Sequence, residues 1–487
     1  MKFNLKNIIK SKEMLFYIVI TTIFFGVFCS IEYAVDTYAT FSFSVQDLYN
    51  QFVPCGRFII VLVGTILKFL NLKNKITYLL SFTVAIICMI ISQYKLYKII
   101  EKDVKSKKLK IIIPTLIILN VFSIELFLFI EKGIMIFSIL MCICALEAVI
   151  YFFETKKKKY ILYALIYMLL ANFSYQGVTG IFVAIALVYI LKYSKTIKDF
   201  LVNNTVFACI YGIPAVIDYV LIRILSVGSR VSGEIVLVES IKKIEKSTFE
   251  MIIYTHKLLP KYFYLALVGI ITIILVWQII SKENKKIKGI LKIAYLFTGI
   301  IAVTILPQIM QSTEWIWFVP RSTYSYAAIY GILILYLTIN YDLKENVTKI
   351  IIILSGVLLV LQFYTFNKIS TDRYKVNAVD YEITKKICQS IDEYEEKTGN
   401  KIDKIAIYND KEIEYSYNGI FITGDINLKA YSKEWGVLSI IEYYYNRKLT
   451  QVEIDTVKKE EFDKKNWTSF SNEQLVFEGN TLHLCMY

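Results

Sequence analysis

The 487-residue sequence predicts a polytopic α-helical membrane protein with a small C-terminal α/β domain, and three observations carry that expectation. Hydrophobic residues make up 56% of the chain and the mean hydropathy is +0.52, above the ~45–50% apolar content of soluble domains. The excess is gathered into runs such as 58–70, 111–130 and 350–364. A helix needs roughly 17–25 apolar residues to cross a bilayer. The charge is divided: from Phe366 onward 17 Lys and Arg face 21 Asp and Glu, whereas the remainder carries 38 against 20, with its lysines in short loops. That is the positive-inside pattern, and it excludes reading the net charge of +14 as a nucleic-acid footprint.

In chain order, the basic start (1–12) runs into an apolar segment without a small-residue cleavage pattern and reads as a signal anchor. Expected membrane segments, about 11–12 in all, are 14–30, 58–70, 76–92, 111–130, 134–153, 160–173, 178–191, 200–225, 258–280, 290–306, 323–340 and 347–365. The lysine-rich connections 95–110, 156–159, 192–198 and 282–288 are expected on the cytoplasmic side. Three full crossings would place the first of these outside, so one early segment must fail to cross. The short run 58–70 is the expected one. The opening loop, 174–177, 226–256, 307–321 and the tail then face outward.

The chain divides into a membrane domain (1–365) and a soluble α/β tail (366–487). In the tail, 376–398 has helical periodicity, 404–408 alternates like a strand and 435–447 reads as a helix. Residues 474–477 and 481–486 flank Glu478-Gly479-Asn480, a closing hairpin. No internal repeat stands out. The eight cysteines form no framework: Cys29, Cys88, Cys142, Cys144 and Cys209 lie in apolar segments. Only Cys388 and Cys485 lie in the tail, where they could pair if the fold joins them.

The chemistry-bearing residues sit at the edges of apolar runs. Glu32, Asp36 and Asp47 follow the first span and Gly56-Arg57 opens the next segment. Ionisable groups at a membrane boundary are costly and mark functional sites. Asp36 is suited to take a proton from a sugar hydroxyl or to orient it; its bland alternative is a headgroup-solvated boundary residue. Glu32 reads as a contributor or a helix end, and Asp47 as a contributor or part of an amphipathic interfacial helix over 45–52. Arg57 is a phosphate ligand or a snorkelling side chain. Tyr175-Gln176 interrupts an apolar hairpin, where the amide serves sugar hydroxyls or a helix–helix contact. Trp315 and Trp317, just before Pro320-Arg321, suit sugar stacking or an aromatic belt, and Arg321 is a second phosphate candidate. Arg230 and Glu234 are weaker candidates. His256 and His483 lack ligand spacing, and neither a P-loop nor a G-x-S-x-G elbow is present.

The order of these pieces resembles the bacterial GtrII-like glucosyltransferases, membrane enzymes of the GT-C type. It comprises the acid after the first span, Gly56-Arg57, Pro114, Tyr175-Gln176, Pro320-Arg321 and an α/β tail. The resemblance implies transfer of a hexosyl, expected to be glucosyl, unit from a polyprenyl-phosphate donor outside the cytoplasmic membrane. The acceptor would be a cell-surface polysaccharide or teichoic-acid-like glycan. Members of the family often carry two adjacent acids after the first span; here Asp36 is followed by Thr37, so one position is matched. On this reading Asp36 is the base, Arg57 and Arg321 hold the leaving phosphate, and the transfer inverts. No metal ligand is named, and room is left for a divalent cation between donor phosphate and carboxylate. Partners are the lipid-linked donor, the glycan acceptor and membrane lipids, with no nucleic acid. The rival functions are a flippase or transporter of lipid-linked sugar, a polymerase or ligase of surface glycan, and a structural or sensory protein.

Overall fold

A computed structural model of the chain describes residues 11–225, 236–282, 286–309, 313–409, 419–465, 467 and 469–486. They form two compact units. The first takes Val45–Phe127, Glu131–Phe366 and the described part of Met1–Cys29. The second takes Ser30–Ser44, Leu128–Ile130 and the described part of Asn367–Tyr487.

The helices are α1 (Lys12–Phe25), α2 (Val35–Ser42), α3 (Val45–Phe52), α4 (Phe58–Phe69), α5 (Asn74–Ile100), α6 (Lys107–Ile118) and α7 (Ser123–Leu126). They continue as α8 (Lys132–Thr155), α9 (Lys159–Ser174), α10 (Gly180–Tyr193), α11 (Ile197–Leu225), α12 (Leu237–Tyr254), α13 (Phe263–Lys282) and α14 (Lys286–Ile309). The last are α15 (Tyr324–Ala327), α16 (Ile329–Asn340), α17 (Glu345–Thr398), α18 (Glu434–Tyr445) and α19 (Thr456–Asp463). Eight of the described helical segments, which include α1, α5, α8, α11 and α13, are long and apolar enough to cross a membrane.

The first unit shows its direction through pairs of contacts. The Gly133 N–H donates to Ser81 Oγ at 3.0 Å, and Lys95 pairs with Glu147. Equal steps along α5 and α8 therefore stay level, and the two helices run parallel. Lys192 pairs with Asp103, Lys105 with Asp342 at 2.6 Å, and the Lys282 ammonium donates to the Asp342 carbonyl at 2.7 Å. Phe153 stacks on Tyr193 at 5.6 Å. The lysine-rich connections thus gather at one end of the helices. Helix α4, with 12 residues, does not reach that end. It starts at Arg57, beside the head of α8, and hands over to α5, which begins at the same end. Helix α3 lies against it through Leu48, which touches Gly64.

Expectations over four stretches are corrected: 111–130, 323–340, 347–365 and 376–398; the second divides at Ala328 into α15 and α16. The run 111–130 is not one span. Helix α6 stops at Ile118, because Asn120 turns its amide onto the Ile117 carbonyl (3.0 Å) and accepts the Phe122 N–H (3.0 Å), which competes with helix continuation. The chain then makes only the short α7. Likewise, 347–365 and 376–398 are not separate helices. They belong to the single 54-residue α17, which contains no proline and ends at Gly399 with φ +72°. Phe366, the last residue of the first unit, lies within it.

The α6 break meets a second one. Tyr324 donates from its hydroxyl to the Ile118 carbonyl, and Gly331 of α16 packs so closely on Ile117 that a Cβ would stand 2.7 Å from it. Helices α6 and α16 are thus antiparallel half-length helices, joined by Lys105–Asp342 at the lysine end and broken at the other.

In the second unit a four-stranded sheet has the order β2-β1-β4-β3, formed by β1 (Lys404–Asn409), β2 (Thr450–Gln451), β3 (Leu475–Glu478) and β4 (Thr481–Met486). β1 is parallel to β2 and β4, and β3–β4 is the antiparallel hairpin, turned at Gly479 with φ +57°. The β1 interior (Ile405, Ala406, Ile407, Tyr408) is buried, as a central strand requires. Helix α2 packs on α18. Val35 would clash with any Cβ on Gly436, and Phe41 stacks on Tyr443 at 5.7 Å. All eight cysteines are free, so Cys388 and Cys485 form no disulfide.

Candidate functional site

Three interruptions far apart in sequence converge in the first unit, at the end of the helices opposite the lysine loops. One is the turn before α4, where Gly56 adopts φ +71°. The second is the α9–α10 connection, where Tyr175 leaves the helix in extended conformation and Gln176 begins a short 3-10 turn. The third is the 3-10 turn Pro320–Ser322. Gly177 binds the last two together, since a Cβ there would lie 2.9 Å from the Arg321 carbonyl oxygen.

Gln176 is the hinge of the cluster. Its Nε2 donates to the Cys55 carbonyl at 3.0 Å and to Asp218 Oδ2 at 2.9 Å. Asp218, on α11, is 4% exposed. Gly56 presents its bare Cα to these groups; a Cβ would stand 2.7 Å from either Asp218 oxygen and 2.4 Å from Gln176 Nε2. The Arg57 guanidinium lies over the Tyr175 ring at 4.9 Å and 3.9 Å from Glu131 Oε1.

Arg321 is held more firmly. Its backbone N–H donates to Glu125 Oε2 at 2.7 Å and its Nη1 to Glu125 Oε1 at 2.5 Å, with the Glu125 side chain fully buried. One contact from the backbone and one from the guanidinium fix the residue at both ends, and each is charge-assisted. The acids Glu125, Glu131 and Asp218 were missing from the sequence-based site. The signal was present, because Glu125 is the single charge inside the apolar run 111–130 and Asp218 the single acid inside 200–225.

His256 stands nearby in the chain fold, its Nε2 3.1 Å from Thr323 Oγ1. Burial pushes its pKa down to about 4, so it is neutral at physiological pH. Thr255, His256 and Lys257 all take positive φ, a conformation costly for residues other than glycine.

Of the remaining expected residues, Asp36 and Glu32 belong to the second unit. Asp36 is exposed in the first turn of α2, and its Oδ1 accepts from Trp435 Nε1 at 3.3 Å. Glu32 is half-buried, and desolvation raises its pKa to about 7 against the opposing charge of Arg373. Asp47 is exposed on α3, whose Leu48 and Phe52 are buried, the amphipathic arrangement expected for 45–52. Trp317 is half-exposed, and its carbonyl accepts from the Ser322 hydroxyl at 3.0 Å. The backbone of Trp315 lies in a 3-10 turn, and its side chain, like Arg230 and Glu234, lies outside the described parts. The structure therefore brings Arg57, Tyr175, Gln176 and Arg321 together and assigns Asp36 and Glu32 to the other unit. Among the described residues no three His, Cys, Asp or Glu side chains assemble as a metal-binding group.

No protein-family model matches this chain, and no curated protein matches it.

Proposed function

We propose that the protein is a membrane glycosyltransferase of GT-C type, GtrII-like, which moves a hexosyl unit from a polyprenyl-phosphate donor to a surface glycan outside the cytoplasmic membrane. The observation that supports this reading most is the convergence of Arg57, Tyr175, Gln176 and Arg321 at the end of the helices away from the lysine loops. By the positive-inside rule that end faces outward. A donor phosphate lies at headgroup depth there, and an arginine stabilises the leaving phosphate mainly in the transition state.

The two arginines differ in readiness. Arg321 already has both oxygens of Glu125, so its role is to fix the Pro320 turn against α7. Among the described residues Arg57 has a distant carboxylate and an aromatic face, and it is the donor-phosphate ligand in this proposal. Gln176, whose amide nitrogen is engaged by the Cys55 carbonyl and Asp218, positions Asp218 in this proposal. Proton removal is assigned to Asp36 on the sequence resemblance.

A second reading, a transporter of lipid-linked sugar, draws on the broken helices α6–α7 and α15–α16, since interrupted helices are common at transporter sites. The deciding experiment supplies polyprenyl-phosphate-glucose and isolated surface glycan to purified wild type, Asp36→Asn and Arg57→Ala. Transfer by wild type with loss of at least tenfold in both variants supports the proposal. Wild-type rates in both folded variants overturn the site. Movement of the donor across vesicles without transfer favours the second reading.

A further inference from the structure

The cluster holds two polar atoms with no hydrogen-bond partner among the described residues: Oδ1 of Asp218 and Nε of Arg57, both buried. Unsatisfied buried polar atoms are rare because each costs on the order of 1–3 kcal/mol, more when the group is charged. Asp218 is the more exceptional of the two. It lies on an apolar helix, is 4% exposed, and among the described residues receives one neutral donor, Gln176, on its other oxygen. Whether it is ionised or carries a proton, Oδ1 is left with an unmet bond.

The two residues meet at one turn. Arg57 follows Gly56, where a Cβ would stand 2.7 Å from both Asp218 oxygens, and Gly56 holds φ +71°, so this approach is built into the turn. One atom is an N–H on a cation; the other is an acceptor on a carboxylate. An inorganic anion satisfies the first and is repelled by the second. A neutral sugar satisfies the second only. A molecule with a phosphate next to a hydroxyl-bearing ring satisfies both.

We infer that Asp218 is a specificity-determining residue which accepts a hydrogen bond from a hydroxyl of the sugar whose phosphate is held by Arg57. This rests on the glycosyl-phosphate reading above and adds to it the residue that distinguishes a sugar-bearing lipid phosphate from a bare one.

The test is binding to the full-length protein in detergent, with a short-chain prenyl-phosphate hexose compared with the same prenyl phosphate lacking the sugar. Wild type is expected to prefer the sugar-bearing lipid about tenfold, the size of one hydrogen bond to a charged group. In Asp218→Asn and Asp218→Ala this margin falls below about twofold, while Arg57→Ala weakens both lipids. Because a variant at a buried site can fail to fold, donors lacking one hydroxyl at a time are also offered to wild type. One of them is expected to bind like the bare lipid. The inference is overturned if wild type shows no margin or binds neither lipid. It is also overturned if both folded Asp218 variants keep the margin, or if no deoxy donor loses it. Transfer measured in parallel separates this from the wider proposal. A margin without transfer keeps Asp218 and removes the transferase, whereas transfer without a margin does the reverse.

Discussion

Arg321 binds both carboxylate oxygens of Glu125, one through its backbone N–H at 2.7 Å and one through Nη1 at 2.5 Å, with Glu125 wholly removed from solvent. A buried pair of this kind is costly to break from one side, because the partner is left as an uncompensated charge. Arg321→Ala or Glu125→Ala is expected to destabilise the protein by about 3–5 kcal/mol. The double variant Glu125→Leu/Arg321→Met should lose less than either single change. Thermal unfolding in detergent reads all three, and strict additivity would show that the two residues do not act as a pair.

Gly56→Ala meets two obstacles at once: a positive φ, and a Cβ placed 2.7 Å or less from Asp218 and Gln176. The expected cost is about 1–3 kcal/mol, with the Gln176–Asp218 contact displaced. Since Gly64→Ala meets only the end of Leu48, a side chain that can move, its effect should be smaller. Equal losses for the two variants would argue against the close approach at Gly56.

Asn120 ends α6 by bonding its own neighbours, so Asn120→Leu should remove the brake on the helix without restoring a span. The exposed bonding groups cost about 1–3 kcal/mol. Hydrogen exchange at Phe122 should rise, and unchanged protection there would mean that the backbone holds the break without the amide.

Glu32 titrates in an unusual range. Its pKa is about 7 in the folded chain and 4.5 ordinarily, so the folded state keeps the proton over that interval. Its contribution is therefore full below pH 4.5 and is lost as the pH rises through 7. Glu32→Gln, which mimics the protonated acid, should match wild type at pH 4 and unfold at a higher temperature at pH 8. Parallel Tm curves from pH 5 to 8 would contradict the shift.

Much of the helical frame was legible because apolar run length is a direct consequence of the membrane's thickness. The segments around 76–92, 134–153 and 200–225 appear as α5, α8 and α11, each longer than its run because charged ends such as Lys98 and Lys132 extend past the apolar part. The β3–β4 hairpin was legible from Glu478-Gly479-Asn480 for a different reason, the need for positive φ at the turn. The break at Asn120 was not, since a lone asparagine in an apolar run reads as tolerated until its amide is seen on the neighbouring backbone. In the candidate site, Arg57, Tyr175, Gln176 and Arg321 stood out as polar groups at run edges. Glu125 and Asp218 were overlooked because hydropathy averaging hides one charge among many apolar neighbours, although each of these charges is expensive enough to need a partner.

Helices α6 and α16 have 12 residues each, a reach of about 18 Å, against the ~30 Å of a bilayer's hydrocarbon core. Neither stub meets lipid where it breaks: Ile113–Ile118 of α6 and Ile329–Leu337 of α16 are buried inside the first unit. The irregular backbone between the two breaks therefore lies among protein groups, beside the Glu125–Arg321 pair, where Asn120 and Tyr324 meet the peptide groups that a broken helix frees.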